Sequence, residues 1–366
     1  MKKDKKDKKN KSISNKLTKN AVLMSGQDKC WNFIPLGVTN NNKKEQIIGW
    51  YLNDQNIVDE AYPTLPSTSL VIAGGTGSGK TIMERNIISH INDYSDYFQL
   101  VLSDPRKVDF FDLMNNNNCR VTDTASTASA AESIQKVMMR RFKLMEKYQV
   151  NNIHKLVEKQ AEVDYYTIKG IGTFQFDEII PLTIALDALD TKDNKLSKIY
   201  TDGKKPVALS AYDVYNQLKN GEIKDVTIQN RTITEKDIKV SKNAFVPRDI
   251  VFMIDDLATI MTDANDYKSV DTVKQALGSI ARLGRAAGTH LVLCCQRASG
   301  SIISTDLMNN ISMSVLLGGF DDSASMLMFN EDISDRCRPE IRGRGFISSG
   351  NEIIETQIFS GKFINF

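Results

Sequence analysis

"SLVIAGGTGSGKTIMERNIISHI", Ser69–Ile91, decides the fold. Four apolar residues, Leu70–Ala73, read as a buried strand. A glycine-rich loop follows, and then a stretch with helical periodicity. The loop Gly74-Gly75-Thr76-Gly77-Ser78-Gly79-Lys80-Thr81 satisfies G-x-x-x-x-G-K-[ST] in the strand–loop–helix context that gives the pattern meaning. Glycines let successive backbone N–H groups converge on phosphate oxygens, and the helix N-terminus adds positive potential. Lys80 is expected to reach the β- and γ-phosphates, and the Thr81 hydroxyl to ligate Mg²⁺. A glycine-rich turn matching by chance would lack both flanking elements. The segment therefore predicts a nucleoside triphosphate site, with ATP and Mg²⁺ as cofactors.

"VFMIDDLATIM", Val251–Met261, supplies the second half of such a site. An apolar strand ends in Asp255 and Asp256. Two acids after a strand can simply cap a helix. Beside a phosphate-binding loop they have a chemical reading: Asp255 holds the metal and Asp256 activates the attacking water.

The rest of the chain alternates apolar strands with amphipathic helices. "YFQLVLSDP" (Tyr97–Pro105) and "THLVLCC" (Thr289–Cys295) read as buried strands, and Thr127–Tyr148 and Val270–Arg285 as helices. "WNFIPL" (Trp31–Leu36) and "EQIIGWYL" (Glu45–Leu52) read as early strands, and "SVLLGG" (Ser314–Gly319) with "GFISSG…EIIETQIF" as closing ones. This order argues for an α/β domain with a mainly parallel central sheet. Residues 165–247 differ, mixing short β-prone runs with turn signals, and read as a β-rich insertion. The expected organisation is a basic tail over 1–20, a first part of the ATPase domain over 21–164, the insertion, and a second part over 248–366.

Of 366 residues, 41% are hydrophobic and 25% charged, which is ordinary for a globular chain. No apolar run approaches the roughly 18 residues that cross a bilayer. No secretory signal is visible. The five cysteines show no C-x-x-C spacing and read as reduced thiols, which places the expected location in the cytoplasm. Cys294-Cys295 reads as a core strand pair. His90, His154 and His290 are far apart in sequence and read as packing or surface residues, not as metal ligands. The net charge of +2 conceals a basic head: nine lysines and two aspartates in the first twenty residues give +7, leaving −5 on the rest. Such a head either scans nucleic acid by counterion release or solubilises the chain.

Further stretches carry a family resemblance. "DPRKVDF" (Asp104–Phe110) resembles the D-P-K-x-x-E segment of the FtsK/SpoIIIE DNA translocases. "RRFKLMEKYQVNNI" (Arg140–Ile153) is similar to their E-R-R-Y-x-L-M…G-V-R-N-I helix, and "FIPLGV" (Phe33–Val38) to the strand before their phosphate-binding loop. "IARLGRAAGTHLVLCCQRAS" (Ile280–Ser299) resembles their L-A-x-x-A-R-A-A-G-I-H-L-V-L-A-T-Q-R-P, and "GRGFIS" (Gly343–Ser348) their closing G-x-G strand. The matches are colinear from about Phe33, broken only by the insertion.

The resemblance implies a RecA-like P-loop motor domain that assembles as a homo-oligomer, a hexameric ring around double-stranded DNA, with ATP between subunits. It implies phosphate binding by Gly74–Thr81, a metal-binding acid at Asp255, a catalytic acid at Asp256 and a sensor amide at Gln296. It also implies that Arg285 is an arginine finger acting in trans on the neighbouring subunit's nucleotide. The departures are informative too. No membrane-spanning segment or winged-helix module is recognisable, the insertion is long, and the family's Asp-Glu is Asp-Asp here. These point to a phage, plasmid or mobile-element relative. The basic cluster "DRCRPEIRGRG", with Arg336, Arg338, Arg342 and Arg344, reads equally as a phosphate-contacting loop or a solvated one.

Three functions compete. The first is an ATP-driven DNA translocase for packaging, conjugative transfer or segregation. The second is a protein-secretion ATPase of the same motor fold. The third is a nucleotide-dependent assembly protein with slow hydrolysis. Asp256 keeps the third alive, because an aspartate carboxylate sits about 1 Å further back than a glutamate's, a misplacement worth about 10²-fold in rate.

Overall fold

The computed structural model describes residues 31–41, 44–52, 68–107, 109–114, 118–185, 204–349 and 352–359. The basic head at 1–20, Cys30 and the turn signal at 191–194 lie outside them.

Ten strands form the main sheet. In chain order these are β1 (Phe33–Asn41), β2 (Lys44–Tyr51), β3 (Ser69–Gly74), β4 (Phe98–Ser103) and β5 (Cys119–Val121). After a long excursion come β13 (Asp249–Ile254), β14 (Thr289–Cys295), β15 (Met313–Leu317), β16 (Arg344–Ser349) and β17 (Glu352–Ile358). Their spatial order is β2-β1-β17-β16-β15-β3-β14-β13-β4-β5. Neighbours from β15 through β5 pair in parallel. The four strands on the other flank pair antiparallel. The fold is thus mixed α/β with a large, mainly parallel centre.

Strand periodicity explains the layering. Successive side chains point to opposite faces of a sheet. Leu70 and Ile72 enter one core, with Met83, Ile87 and Ile91 of helix α1 (Lys80–Asp93). Val71 and Ala73 enter the other, with Ile134 and Val137 of α2 (Thr124–Tyr148) and Val273 and Leu277 of a later helix. Cys294 and Cys295 divide between the two cores by the same rule, and both are fully buried. The three central strands β3, β13 and β14 are buried along their whole length, as strands covered on both faces must be.

α2 begins where its capping chemistry dictates. Asp123 accepts from the Ser126 backbone N–H, and the Ser126 hydroxyl accepts from the Asp123 N–H. The excursion then runs through β6 (Glu162–Ile168), β7 (Gly172–Gln175), β8 (Ile179–Ala185) and β9 (Lys204–Ser210). It continues through α3 (Ala211–Lys219), β10 (Val226–Ile228), β11 (Arg231–Ile233) and β12 (Ile238–Ala244). These strands make two small sheets, β11-β10-β8-β9 and β12-β6-β7, around a core of their own. β9 lies against α2, where Ser129 and Ser133 donate to the Ala208 carbonyl.

After β13 come α4 (Leu257–Met261) and α5 (Tyr267–Leu283), and after β14 come α6 (Thr305–Met308) and α7 (Asp322–Phe329). The expected helix over Val270–Arg285 ends two residues early. A 3₁₀ turn, Gly284–Ala287, takes over, and Arg285 sits in that turn. A Cβ on Gly284 would lie 2.2 Å from the Thr289 carbonyl oxygen, so the chain doubles back too tightly for any other residue there.

Two polar groups are sealed at the end of the sheet where β13 and β14 begin. The Arg141 side chain, 1% exposed, binds Asp177 through Nε at 2.9 Å and Nη2 at 2.8 Å. It also donates to the carbonyls of Ala287, Gly288 and Arg248 at 2.7, 3.1 and 2.6 Å. Beside it, Asp249 is flanked by His154 Nε2 at 2.9 Å and His290 Nε2 at 3.1 Å. Burial alone would raise the Asp249 carboxyl. The two imidazoles outweigh burial and hold it well below the usual carboxylate range. Two histidines far apart in sequence thus meet on one acid.

Removing one member of a buried ion pair strands the other. Arg141→Ala is therefore expected to cost about 3–5 kcal/mol of unfolding free energy, read as a lower midpoint of urea unfolding.

Candidate active site

β3, β14 and β13 are adjacent and parallel, so their C-terminal ends open on one edge of the sheet. β3 delivers the loop Gly74–Thr81, β14 delivers Gln296, and β13 delivers Asp255 and Asp256. Gly75, Thr76, Gly77, Gly79, Lys80 and Thr81 line one cavity together with Ile82, Arg106, Gln296 and Arg342. Gly74 and Ser78 are buried beneath it. Gly79 has φ +107°, a conformation that disfavours a side chain. A Cβ on Gly74 would lie 2.6 Å from Ser78 Oγ, so the glycine spacing reflects close packing as well as phosphate access.

The two acids differ sharply. Asp255 is 5% exposed, and its Oδ2 lacks a hydrogen-bond partner among the described residues. Burial raises its carboxyl to about 6, against the pull of Arg106 and Lys80, while Asp109 and Asp256 add to the rise. A buried, unpartnered carboxylate oxygen within the field of Lys80 fits a hard cation, so Asp255 and the Thr81 hydroxyl are suited to hold Mg²⁺.

Asp256 is fully engaged instead. Its Oδ2 accepts from Arg106 Nε at 2.9 Å, Arg106 Nη2 at 2.6 Å and Thr259 Oγ1 at 2.7 Å. Its backbone is left-handed, φ 53° and ψ 60°. Asp and Asn enter that region more readily than other L-residues. The backbone at this corner thus suits a short acid, although Gln149, Gln160 and Gln229 adopt the same region elsewhere in the chain.

Arg106 is a functional candidate that sequence reasoning did not single out, although the motif containing it was. Asp104, fully buried, builds the turn that presents it. Its Oδ1 accepts from the Lys107 N–H at 2.9 Å and its Oδ2 from Arg120 Nε at 3.1 Å. The turn follows β4, whose neighbour is β13, so Arg106 meets Asp256 across 150 residues of sequence. Glu84 was also missed. It lies on the buried face of α1, its two oxygens without hydrogen-bond partners among the described residues. Burial, with Asp255 nearby, pushes it up to about 8, while the Cys294 thiol and Lys80 act the other way.

Arg285 does not join this group. It is exposed on the turn before β14, whereas Gln296 follows the end of that strand. Seven residues of strand span roughly 23 Å. Arg285 therefore lies at the opposite edge of the sheet, out of reach of its own chain's cavity.

A sequence model of the FtsK/SpoIIIE family matches residues 53–300, more than half of the chain. The chain belongs to the FtsK/SpoIIIE family. Among curated relatives, the DNA translocase FtsK of Helicobacter pylori strain J99 is 35% identical over 89 residues, which are 23% of this chain and 10% of that protein. The match thus spans about a tenth of the curated relative's length. Among solved structures, the conjugation coupling protein TcpA of pCW3, monomeric with ATPγS, superposes with TM-score 0.58 at 16% identity. That alignment covers 91% of this chain and 67% of TcpA. ATPases 2 and 3 of EssC from Geobacillus thermodenitrificans give TM-score 0.52 at 13% identity, over 90% of this chain and 44% of theirs. At these identities the structures share the FtsK-type P-loop ATPase fold. Membership places this chain in a family of P-loop motor ATPases.

A carboxyl raised by folding is stabilised while protonated. The Glu84 contribution is whole below its ordinary 4.5 and is lost as pH rises through about 8. Glu84→Gln is expected to resist urea better than the parent at about pH 9, with the advantage fading towards about pH 5. Equal midpoints at both pH values would show that the side chain is already solvated.

Proposed function

We propose that this chain is the motor of an ATP-driven double-stranded DNA translocase, acting in DNA packaging, conjugative transfer or segregation. The observation that carries the reading is positional. The phosphate-binding loop, both acids and Gln296 share one edge of the sheet, while Arg285 occupies the other. A chain built this way holds a nucleotide but keeps Arg285 out of reach of it. Head-to-tail assembly brings Arg285 of one subunit to the next, which favours a closed homo-oligomeric ring, hexameric by family resemblance.

In this reading the Gly74–Thr81 backbone and Lys80 bind the phosphates, and Thr81 and Asp255 hold Mg²⁺. Bound there, Mg²⁺ would supply positive charge against the phosphoryl group being transferred. Gln296 orients water at the γ-phosphate. Asp256, whose Oδ2 is held by Arg106, accepts a proton from that water. Arg285 of one subunit stabilises phosphoryl charge at the next.

Long linear duplex DNA is expected to raise the steady-state ATPase rate of the assembled protein. A rate indifferent to DNA, yet stimulated by a substrate polypeptide, would overturn this reading in favour of a secretion motor. Arg285→Ala is expected to keep nucleotide binding and lose roughly 10³-fold or more in turnover. Mixing it with Lys80→Ala subunits should restore part of the activity, because each supplies the half-site the other lacks.

Asp256→Glu addresses the slow-switch alternative. The left-handed backbone and the Arg106 and Thr259 contacts lead us to expect a fall in turnover of roughly 10–10²-fold. A gain would mark the parent as an attenuated enzyme.

A further inference from the structure

The closing hairpin of the sheet reaches back over the phosphate-binding loop. The turn Arg342–Gly343 leads into β16 and is tied down on several sides. The Gly343 N–H donates to the Ser78 carbonyl at 3.0 Å, so the turn is bonded to the loop itself. The Gly343 carbonyl accepts from the Ile358 N–H at 2.9 Å, and the Arg342 carbonyl from Gln357 Nε2 at 3.0 Å. Gly343 has φ +75°, and a Cβ there would lie 2.8 Å from Ile358 Cγ1. Gly79 faces Gly343 so closely that its own Cβ would come within 3.1 Å of the Gly343 Cα. The backbone that carries Arg342 is therefore fixed relative to the phosphate-binding loop.

The arginines around this turn have different fates. Arg344 is 3% exposed and bound to Gln357 Oε1 at 3.1 Å and Glu355 Oε1 at 3.0 Å. Arg336 lies over the Phe346 ring, 4.9 Å from its centroid. Arg338 donates to the Cys337 carbonyl at 2.9 Å. Arg342 is exposed, and it lines the cavity with Gly75–Gly77 and Gly79–Ile82. Two other cations line that cavity. Lys80 belongs to the loop, and Arg106 is held by Asp256. A rigidly based guanidinium facing backbone amides that converge on phosphate has an evident ligand class, since its planar fork matches phosphate oxygens.

We propose that Arg342 is a nucleotide-binding residue, supplied in cis by the closing hairpin, which grips the polyphosphate of ATP from the side opposite the acids. The assignment rests on the reading of Gly74–Thr81 as the ATP site. It separates two arginine roles in one chain. Arg342 contributes to holding the ground-state nucleotide, and Arg285 to the neighbour's transition state. β17 also pairs with β1, so the strand whose Ile358 and Gln357 hold the Arg342–Gly343 turn is continuous with the β1-β2 hairpin at the flank of the sheet.

The test uses the full chain and the displacement of a fluorescent ATP analogue by MgATP. Arg342→Gln is expected to weaken ATP about tenfold or more, as for loss of one charge-assisted contact. The turnover at saturating ATP should stay within about twofold of the parent, a split between KM and kcat that a purely structural residue would not give. Arg342→Lys should recover part of the affinity. An unchanged affinity in Arg342→Gln, while Lys80→Ala abolishes binding, overturns this proposal and leaves the site standing. Unchanged affinity in both variants would overturn the site as well. A loss of turnover at saturating ATP without weaker binding would also overturn it.

Discussion

The buried guanidinium of Arg141 is the constraint on which the two halves of the molecule depend. It rises from the middle of α2 and binds an acid of the excursion, Asp177. It also fills the carbonyls at the end of the 3₁₀ turn and at the lead into β13. Its partners come from three segments of chain, which further contacts also join: Ile250 N–H donates to the Gly288 carbonyl, and Arg248 pairs with Glu178. A charge in a dry interior is tolerated only if every donor is used. That requirement sets α2, β13, the Arg285 turn and the small sheets in one arrangement. Asp249, a few ångströms along the same edge, repeats the device with opposite sign, taking two imidazoles. Gly288 is hemmed in by it, because a Cβ there would sit 2.2 Å from Asp249 Oδ1.

At the other edge the sheet order does the assembling. Three neighbouring parallel strands stop at one level, and each stops at a residue with chemistry. The arrangement gives the nucleotide cavity a division of labour between its two acids. Asp255 is buried and unsatisfied, a site waiting for positive charge. Asp256 is held through its Oδ2 by Arg106 and Thr259.

The features legible in the sequence are those encoded locally. The phosphate-binding loop declares itself within eight residues because glycine spacing, lysine and hydroxyl must be contiguous to wrap phosphate. The buried strands and the acid pair are local too, whereas the start of α2, read at Thr127, lies three residues earlier, behind the Asp123 cap. What escaped is long-range. Arg106 stands in a motif that was recognised, yet its partner lies 150 residues on, and only the β4–β13 adjacency joins them. His154 and His290 read as isolated because sequence distance hides a shared acid. Arg342 looked the same as three neighbouring arginines until packing sorted them. The end of α5 lies two residues before the expected one, because the chain tightens at Gly284 into a 3₁₀ turn packed against Thr289.

Strand β14 has one further consequence. It is buried throughout and bonded to a parallel neighbour on each side. It begins just after Arg285 and ends just before Gln296. In a closed ring of such chains, each β14 would act as a strut whose two ends belong to different reactions. A displacement of Gln296 by the nucleotide in one site would be felt at the finger of the adjoining site without any change of fold.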